Sequence, residues 1–330
     1  MENLNQELLI LFKKNKGFID ENLIIAKDIN NGFGIFAKNS IPEGKILIDV
    51  PFNLLIPVNE INNLNKFRNK FEEVFFTIQS ENLYNLENHP LNSNDFELEK
   101  INNAIRNNQN LSKNFIKKIE TYNLLSKDEK IIDLLSSTRA INLKEYDKKF
   151  FMPVMDFVNY KYNGLQYLIG KNKNLYIKSK KDIKKGEEIF INYTYSSDSI
   201  SFFLKHGFID DSFNSFRIKK NELKIKLNSI ATFNKNYFLN ENHEYTFKES
   251  LYFFNNTFSK NLKNFLEIFP ANKRLDFLKK ILNMYKNSVI IDEEQIDKKS
   301  ILLKNFYKSI KIYKNIIDNY LNIIEKNEKN

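Results

Sequence analysis

The stretch Gly32-Phe33-Gly34-Ile35-Phe36-Ala37 limits what this chain can fold into more than any other. Its Gly-x-Gly-x-x-Ala spacing matches a dinucleotide-binding turn, whose glycines lie between a strand and a crossover helix with amides on a pyrophosphate. The strand is available in Leu23-Ile24-Ile25-Ala26. The helix has no room, because Ser40-Ile41-Pro42-Glu43-Gly44 follows the glycines within eight residues and Pro and Gly break a helix of that length. Ile46 to Val50, closed by Pro51, then reads as another strand. Strand, glycine loop, turn and strand leave no right-handed parallel crossover, so a doubly wound sheet is excluded. The glycines serve some other close approach of backbone.

Residues 22–58 continue as short strands and turns, and after Pro57 the period changes. Phe67, Phe71, Val74, Phe75 and Ile78 share one helical face, as do Leu111, Phe115, Ile116, Ile119 and Tyr122. Asp128 to Arg139 carries Ile131, Ile132, Leu134 and Leu135. From about Phe150 the chain becomes extended again, with strands predicted over Leu165 to Ile169, Leu175 to Lys178 and Glu188 to Tyr193. A strand is expected within Arg217 to Leu227, with helices after it. Leu303, Phe306, Ile310, Tyr313, Ile317, Tyr320 and Ile324 then alternate three and four apart along Ser300 to Lys326, the pattern of a helix packed along its length. A dimeric coiled coil shows the same pattern. The organisation expected is an α+β chain: a β-rich part in 1–60, a helical insert in 61–140, a second β-rich part in 141–211 and a mostly helical domain in 212–330.

Charge and residue usage narrow the function. The chain has no cysteine, which removes disulfides, a thiolate nucleophile and a cysteine-held zinc. His89, His206 and His243 are isolated and form no ligand-spaced pair, so no metal is expected. The net charge of +10 resides C-terminally: residues 212–330 hold 22 Lys and Arg against 13 Asp and Glu, and residues 1–211 hold 29 against 28. Only five of the basic residues are Arg, the side chain on which bidentate base readout leans, and this argues against nucleic acid as the partner. Leu8 to Phe12 is too short for a signal peptide or a membrane span and follows Glu2 and Glu7. A cytoplasmic location is the expectation, or a nuclear one in a eukaryote.

Three separated segments carry a resemblance. They are Gly32-Phe33-Gly34-Ile35-Phe36-Ala37 with Ile41-Pro42-Glu43-Gly44-Lys45, then Pro153-Val154-Met155-Asp156-Phe157-Val158-Asn159-Tyr160, then Ile183 to Tyr193 with Gly186-Glu187-Glu188-Ile189-Phe190-Ile191-Asn192-Tyr193. In this order they resemble a SET-domain methyltransferase, most closely in look the branch of the Rubisco large-subunit lysine methyltransferase. Thr138-Arg139-Ala140-Ile141 and His206-Gly207-Phe208 resemble two further segments of that branch. The resemblance implies a SET-type β-rich domain with a knot-like crossing, split by a helical insert and followed by a helical substrate-binding domain. It implies S-adenosyl-L-methionine as cofactor and transfer of its methyl group to a lysine of a non-histone protein, and the basic balance of residues 212–330 suggests that this protein docks there by an acidic surface. It places Asn31, Gly32, Phe33, Gly34, Arg139, Asn159, Tyr160, Tyr193 and Phe208 at the cofactor, Tyr193 at the transfer centre, and Ile141, Ile191 and His206 at the substrate lysine. Asp156 is expected to hold the crossing.

Some positions depart from the family's pattern. Tyr160 stands where the family has His, His206 where it has Tyr, and Ile141 where it has an aromatic. Taken singly, the glycines are also a tight turn, Tyr193 a half-buried strand tyrosine, Asn159 a turn residue and Arg139 a solvated helix end. A SET-like binding module without catalysis therefore stays open, as does a basic nucleic-acid-associated protein. The residues do not reveal the oligomeric state.

Overall fold

The computed structural model describes residues 2–27, 32–61, 66–81, 88–143, 146–192, 197–218, 225–226, 237–239, 244–247, 251–254, 257–258, 274–290 and 300–328. Helix α1 (Glu2–Lys14) precedes strands β1 (Phe18–Ile19), β2 (Leu23–Lys27), β3 (Phe33–Ala37), β4 (Ile46–Val50) and β5 (Ile56–Pro57). Helices α2 (Lys70–Glu81), α3 (Asp95–Ile105), α4 (Gln109–Asn123) and α5 (Lys127–Thr138) follow. Strands β6 (Ile141–Leu143), β7 (Lys148–Phe151), β8 (Asn159–Leu165), β9 (Tyr167–Ile169), β10 (Leu175–Lys178) and β11 (Glu188–Ile191) come before helix α6 (Ser199–His206). Strands β12 (Ser215–Ile218), β13 (Ile225–Lys226), β14 (Tyr237–Leu239), β15 (Glu244–Phe247), β16 (Leu251–Phe254) and β17 (Thr257–Phe258) then lead to helices α7 (Arg274–Asn287) and α8 (Ile301–Glu328).

The chain divides into two compact units. The first comprises Met1–Asn92 with Ile119–Tyr193, the second Ser93–Lys118 with Thr194–Asn330. In the first unit β2 and β3 form an antiparallel hairpin, with Ala26 opposite Gly34 and Lys27 opposite Phe33. No helix follows the glycines. The chain turns at Ile41, which bridges to Ile183, passes Gly44 at φ 82° and enters β4. This is the strand-to-strand course that Pro42 and Gly44 require.

Two four-stranded sheets and one three-stranded sheet result, in the orders β1-β4-β10-β9, β2-β3-β11-β8 and β5-β7-β6. Every pairing in them is antiparallel except β8 with β11. Ile35, Leu47, Ile48, Val50, Phe75, Phe76, Phe151 and Ile177 are enclosed in one core, joined by Leu8 and Phe12 of α1. Helix α2 forms where the period predicts it, burying Phe71, Val74, Phe75 and Ile78, while Phe67 lies ahead of it and stacks on Phe76 at 5.7 Å. Helix α5 begins at a capping box, in which Ser126 accepts from the Glu129 N–H and the Glu129 carboxylate accepts from the Ser126 N–H. Such a cap stabilises a helix by about 1 kcal/mol.

In the second unit α8 packs on α6, α7, α3 and β12. All seven of its predicted positions, Leu303, Phe306, Ile310, Tyr313, Ile317, Tyr320 and Ile324, are buried. Each buried side chain of that size stabilises by roughly 1.5–3 kcal/mol, and the stripe is covered within the chain. Phe216 of β12 rests on Tyr313 at 5.3 Å, and Phe253 of β16 on Tyr320 at 5.0 Å. Strands β14 to β17 have only two to four residues each, too few to show alternation in the sequence.

Candidate functional site

Three segments far apart in sequence meet at the start of β3. Asn159 opens β8, and its side-chain amide donates to the Phe33 carbonyl oxygen at 3.2 Å and to Glu188 Oε1 at 2.7 Å. The first bond ties β8 to the glycine stretch and the second ties it to β11. Gly34 lies against both partners: a Cβ built there would stand 2.6 Å from Glu188 Oε1 and 3.1 Å from Asn159 Nδ2. A Cβ there would also stand 3.0 Å from the Phe36 ring, so a side chain fits only if the Glu188 carboxylate swings aside. Gly32 is buried as well, and the Phe33 ring meets Phe157 edge-on at 6.3 Å.

A short 3-10 turn, Met155–Phe157, delivers Asn159 to this point. Val154 enters the turn at φ 68° and ψ −48°, a conformation that costs a buried β-branched residue roughly 1–3 kcal/mol. Arg139 offsets it. Its backbone N–H closes α5 on the Leu135 carbonyl, and its Nη1 donates to the Asp156 carbonyl at 2.6 Å. The Asp156 side chain is enclosed, and neither carboxyl oxygen has a hydrogen bond. Burial pushes this carboxyl up to about 8, against the lowering effect of the Arg139 guanidinium. Tyr167 is pushed up to about 12 by its own burial and then by Asp156.

The crossing lies between β8 and β11. Asn159 pairs with Phe190 and Leu165 with Ile191, so β8 advances six positions while β11 advances one. Residues 160–164 therefore arch away from β11. At the far foot of the arch a Cβ on Gly164 would sit 2.7–2.9 Å from the Ile191 backbone, so two main chains touch where only glycine permits it. Asn192 fastens the contact, its N–H donating to the Leu165 carbonyl at 2.8 Å and its side-chain amide to the Tyr162 carbonyl. The next residue in the chain, Tyr193, lies outside the described residues, as does Asn31.

The other predicted positions are placed as follows. Ile191 ends β11 and is buried; Tyr160 is buried on β8; Ile141 is half-buried on β6, opposite Phe150. In the second unit, His206 is a buried helix-end residue with its ring 4.4 Å from Phe202, and Phe208 meets Phe202 edge-on at 5.5 Å. Glu188 was not singled out from the sequence, yet it joins Asn159 to Gly34. Its only signal was a carboxylate in an otherwise apolar strand, beside a second Glu at 187. Among the described residues no group of three or more His, Cys, Asp or Glu could hold a metal ion, and no helix is long and apolar enough to cross a membrane.

Residues 32–194, which span the glycine stretch, the Asn159 turn and the β11 crossing, match the family model described as SET domain. The chain carries a SET domain. Its fold is similar to that of the SET domain of LSMT bound to lysine and AdoHcy, with TM-score 0.57 and 12% identity over 99% of this chain and 92% of that one. Rubisco LSMT bound to sinefungin and monomethyllysine gives TM-score 0.55 at 12% identity over 99% and 93%, and Rubisco LSMT bound to AdoMet gives 0.53 at 12% over 98% and 92%. No curated protein sequence matches the chain. The similarity runs past the SET domain into the helices that follow it, so the expected architecture of a split SET domain and a C-terminal helical domain holds.

Proposed function

We propose that the chain moves a methyl group from S-adenosylmethionine to a lysine side chain of a non-histone protein. The observation that carries this reading is the joint of Asn159, the Phe33 carbonyl and Glu188 over Gly34. It ties the glycine stretch to β8 and β11 inside a SET domain. The donor set suits a zwitterionic amino-acid end: Arg139 offers a guanidinium for a carboxylate and Glu188 a carboxylate for an ammonium. When bound, S-adenosylmethionine supplies an electrophilic methyl group on a sulfonium.

The chain's own residues must then present a neutral amine in line with that methyl. A lysine is neutral about 0.04% of the time at pH 7, a handicap of roughly 4.6 kcal/mol. Ile191 and Ile141 would wall an apolar channel that favours the neutral form by desolvation, and Tyr193, two residues beyond Ile191, would orient the amine through its hydroxyl. Phe208 and Tyr160 would pack about the cofactor, with Asn31 leading into the glycine stretch. His206, its ring 4.4 Å from that of Phe202 and tilted by 32°, would take the place of a tyrosine in shaping the lysine site. The basic balance of residues 212–330 supports docking of an acidic protein surface there.

The test is transfer of labelled methyl from S-adenosylmethionine into native cell extract, wild type beside Tyr193→Phe. Label on a discrete protein band is expected, falling by about a hundredfold or more in the variant. A cofactor-induced rise in melting temperature with no label would reassign the chain as a binding module, and absence of both would sink the proposal.

A further inference from the structure

We infer that a lysine stripe on α8 is a docking surface for an acidic helix, one that presents carboxylates three and four residues apart. The inference deepens the proposed function and rests on it for naming that helix as part of the methyl-acceptor protein. Between Ile301 and Ile317 the chain carries Lys304, Lys308, Lys311 and Lys314 and neither Asp nor Glu. Spacings of four and three set Lys304, Lys308 and Lys311 in line along α8, with Lys314 one further turn on. The opposite side of the helix holds the buried stripe of Leu303, Phe306, Ile310, Tyr313 and Ile317. Lys304 and Lys311 are exposed, and Lys308 and Lys314 half-buried. From the rise of a helix, the line of cations runs about 15 Å.

The chain supplies few carboxylates to answer them. Among the described residues Lys304, Lys311 and Lys314 make no ion pair, while Lys308 meets Asp211 at 2.8 Å and Lys286 of α7 meets Asp318 at 2.5 Å. The Asp211 side chain is 83% exposed, so water screens its pair and the carboxylate can swing away. Lys314 is lowered from its ordinary value by burial and then by the Lys286 ammonium, against the raising effect of Asp318. Two ammoniums thus share one carboxylate, and a further carboxylate seated there would relieve their repulsion. An acidic helix meets this line in register, because its side chains recur at the same steps of three and four residues. Phosphates fit less well, since the stripe holds no arginine for bidentate contact.

The experiment measures fluorescence anisotropy of the full chain with a fluorescein-labelled, alanine-based helical peptide of about 20 residues, its glutamates three and four apart on one face. An isomer with the same glutamates spread around the helix and a single-stranded DNA of equal charge serve as comparisons. Wild type is expected to bind the one-faced peptide at least about tenfold more tightly than either. The variant Lys304→Gln, Lys308→Gln, Lys311→Gln loses that preference. A variant of the same net charge, Lys38→Gln, Lys45→Gln, Lys178→Gln, changes exposed lysines of the first unit and keeps it. Both retain the wild-type melting shift with S-adenosylmethionine. In the transfer assay the first variant labels its protein band at least about tenfold more weakly than wild type. Equal binding of the two peptides overturns the inference, as would follow if the chain's own Asp292, Glu293, Glu294 and Asp297 held the stripe. Tighter binding of the DNA, equal losses in the two variants, or undiminished labelling overturn it as well. A preference that depends on the three lysines, in a protein with neither melting shift nor label, leaves the stripe standing as a docking surface while the proposed methyl transfer falls.

Discussion

Gly34 is crowded by the Glu188 carboxylate, the Phe36 ring and the Asn159 amide. Gly34→Ala sets a methyl group 2.6 Å from Glu188 Oε1, so that carboxylate must shift and its bond with the Asn159 amide is strained. Urea unfolding is expected to report a loss of about 1–3 kcal/mol, and the melting shift with S-adenosylmethionine to shrink; unchanged values would show that the joint yields freely. Asp156 gives a pH signature. Its carboxyl titrates near 8 in the fold and near 3.9 in the unfolded chain, so between those values the native state keeps a proton that the unfolded state has lost. The stability of the neutral form is full below about pH 4 and declines as pH rises to 8. Arg139 and Tyr167 are the groups that interact with it electrostatically. Asp156→Asn keeps the shape without the titration, so from pH 5 to 9 wild type should lose a few kcal/mol relative to the variant; a constant difference would refute the assignment. Gly34, Asn159 and Arg139 stand out in the sequence only through the order of the resembling segments, since each alone reads as a turn or helix-end residue. Glu188 does not stand out, because Glu187 and Glu188 look alike in sequence. Only strand register sends one to the turn at Lys184 and the other to Asn159.

The arch of β8 is an element whose shape follows from one residue. Gly164→Ala sets a methyl group within 3 Å of the Ile191 main chain, which cannot rotate aside as a side chain could. A destabilisation of at least about 3 kcal/mol, or failure to accumulate folded, is expected. A variant within 0.5 kcal/mol of wild type would mean that the crossing does not depend on this contact. Periodicity predicted α2, α4, α5 and α8 because an apolar face recurs every three or four residues over several turns. Strand β10 was also legible, its run Leu175–Lys178 standing between polar turns. Strand β8 was not, since its pairing is interrupted, and Asn, Lys and Gly in Asn159–Leu165 carry no strand pattern. In α4, Ile116 shares the predicted stripe yet is exposed. A period identifies which residues align along a helix, and the neighbours decide how wide a strip is covered.

At the scale of the molecule, the chain leaves its first unit after Asn92, returns at Ile119 and leaves again after Tyr193. Helical stripes announce that something must cover them without saying which part of the chain does, so the membership of 93–118 in the second unit could not be read in advance. The same discontinuity has a consequence in time. Phe36 of β3 pairs with Glu188, and Ile41 bridges to Ile183. At about 5–20 residues per second, a ribosome takes roughly 8–30 s to pass from one partner to the other. Throughout that interval the β2–β3 hairpin holds an open edge, the kind of surface that recruits chaperones or a neighbouring nascent chain. Chains stopped at residue 180 should therefore be cut by protease within 23–37, and chains fully released should resist. Protection in the stopped chains would mean that the hairpin finds shelter before β11 exists.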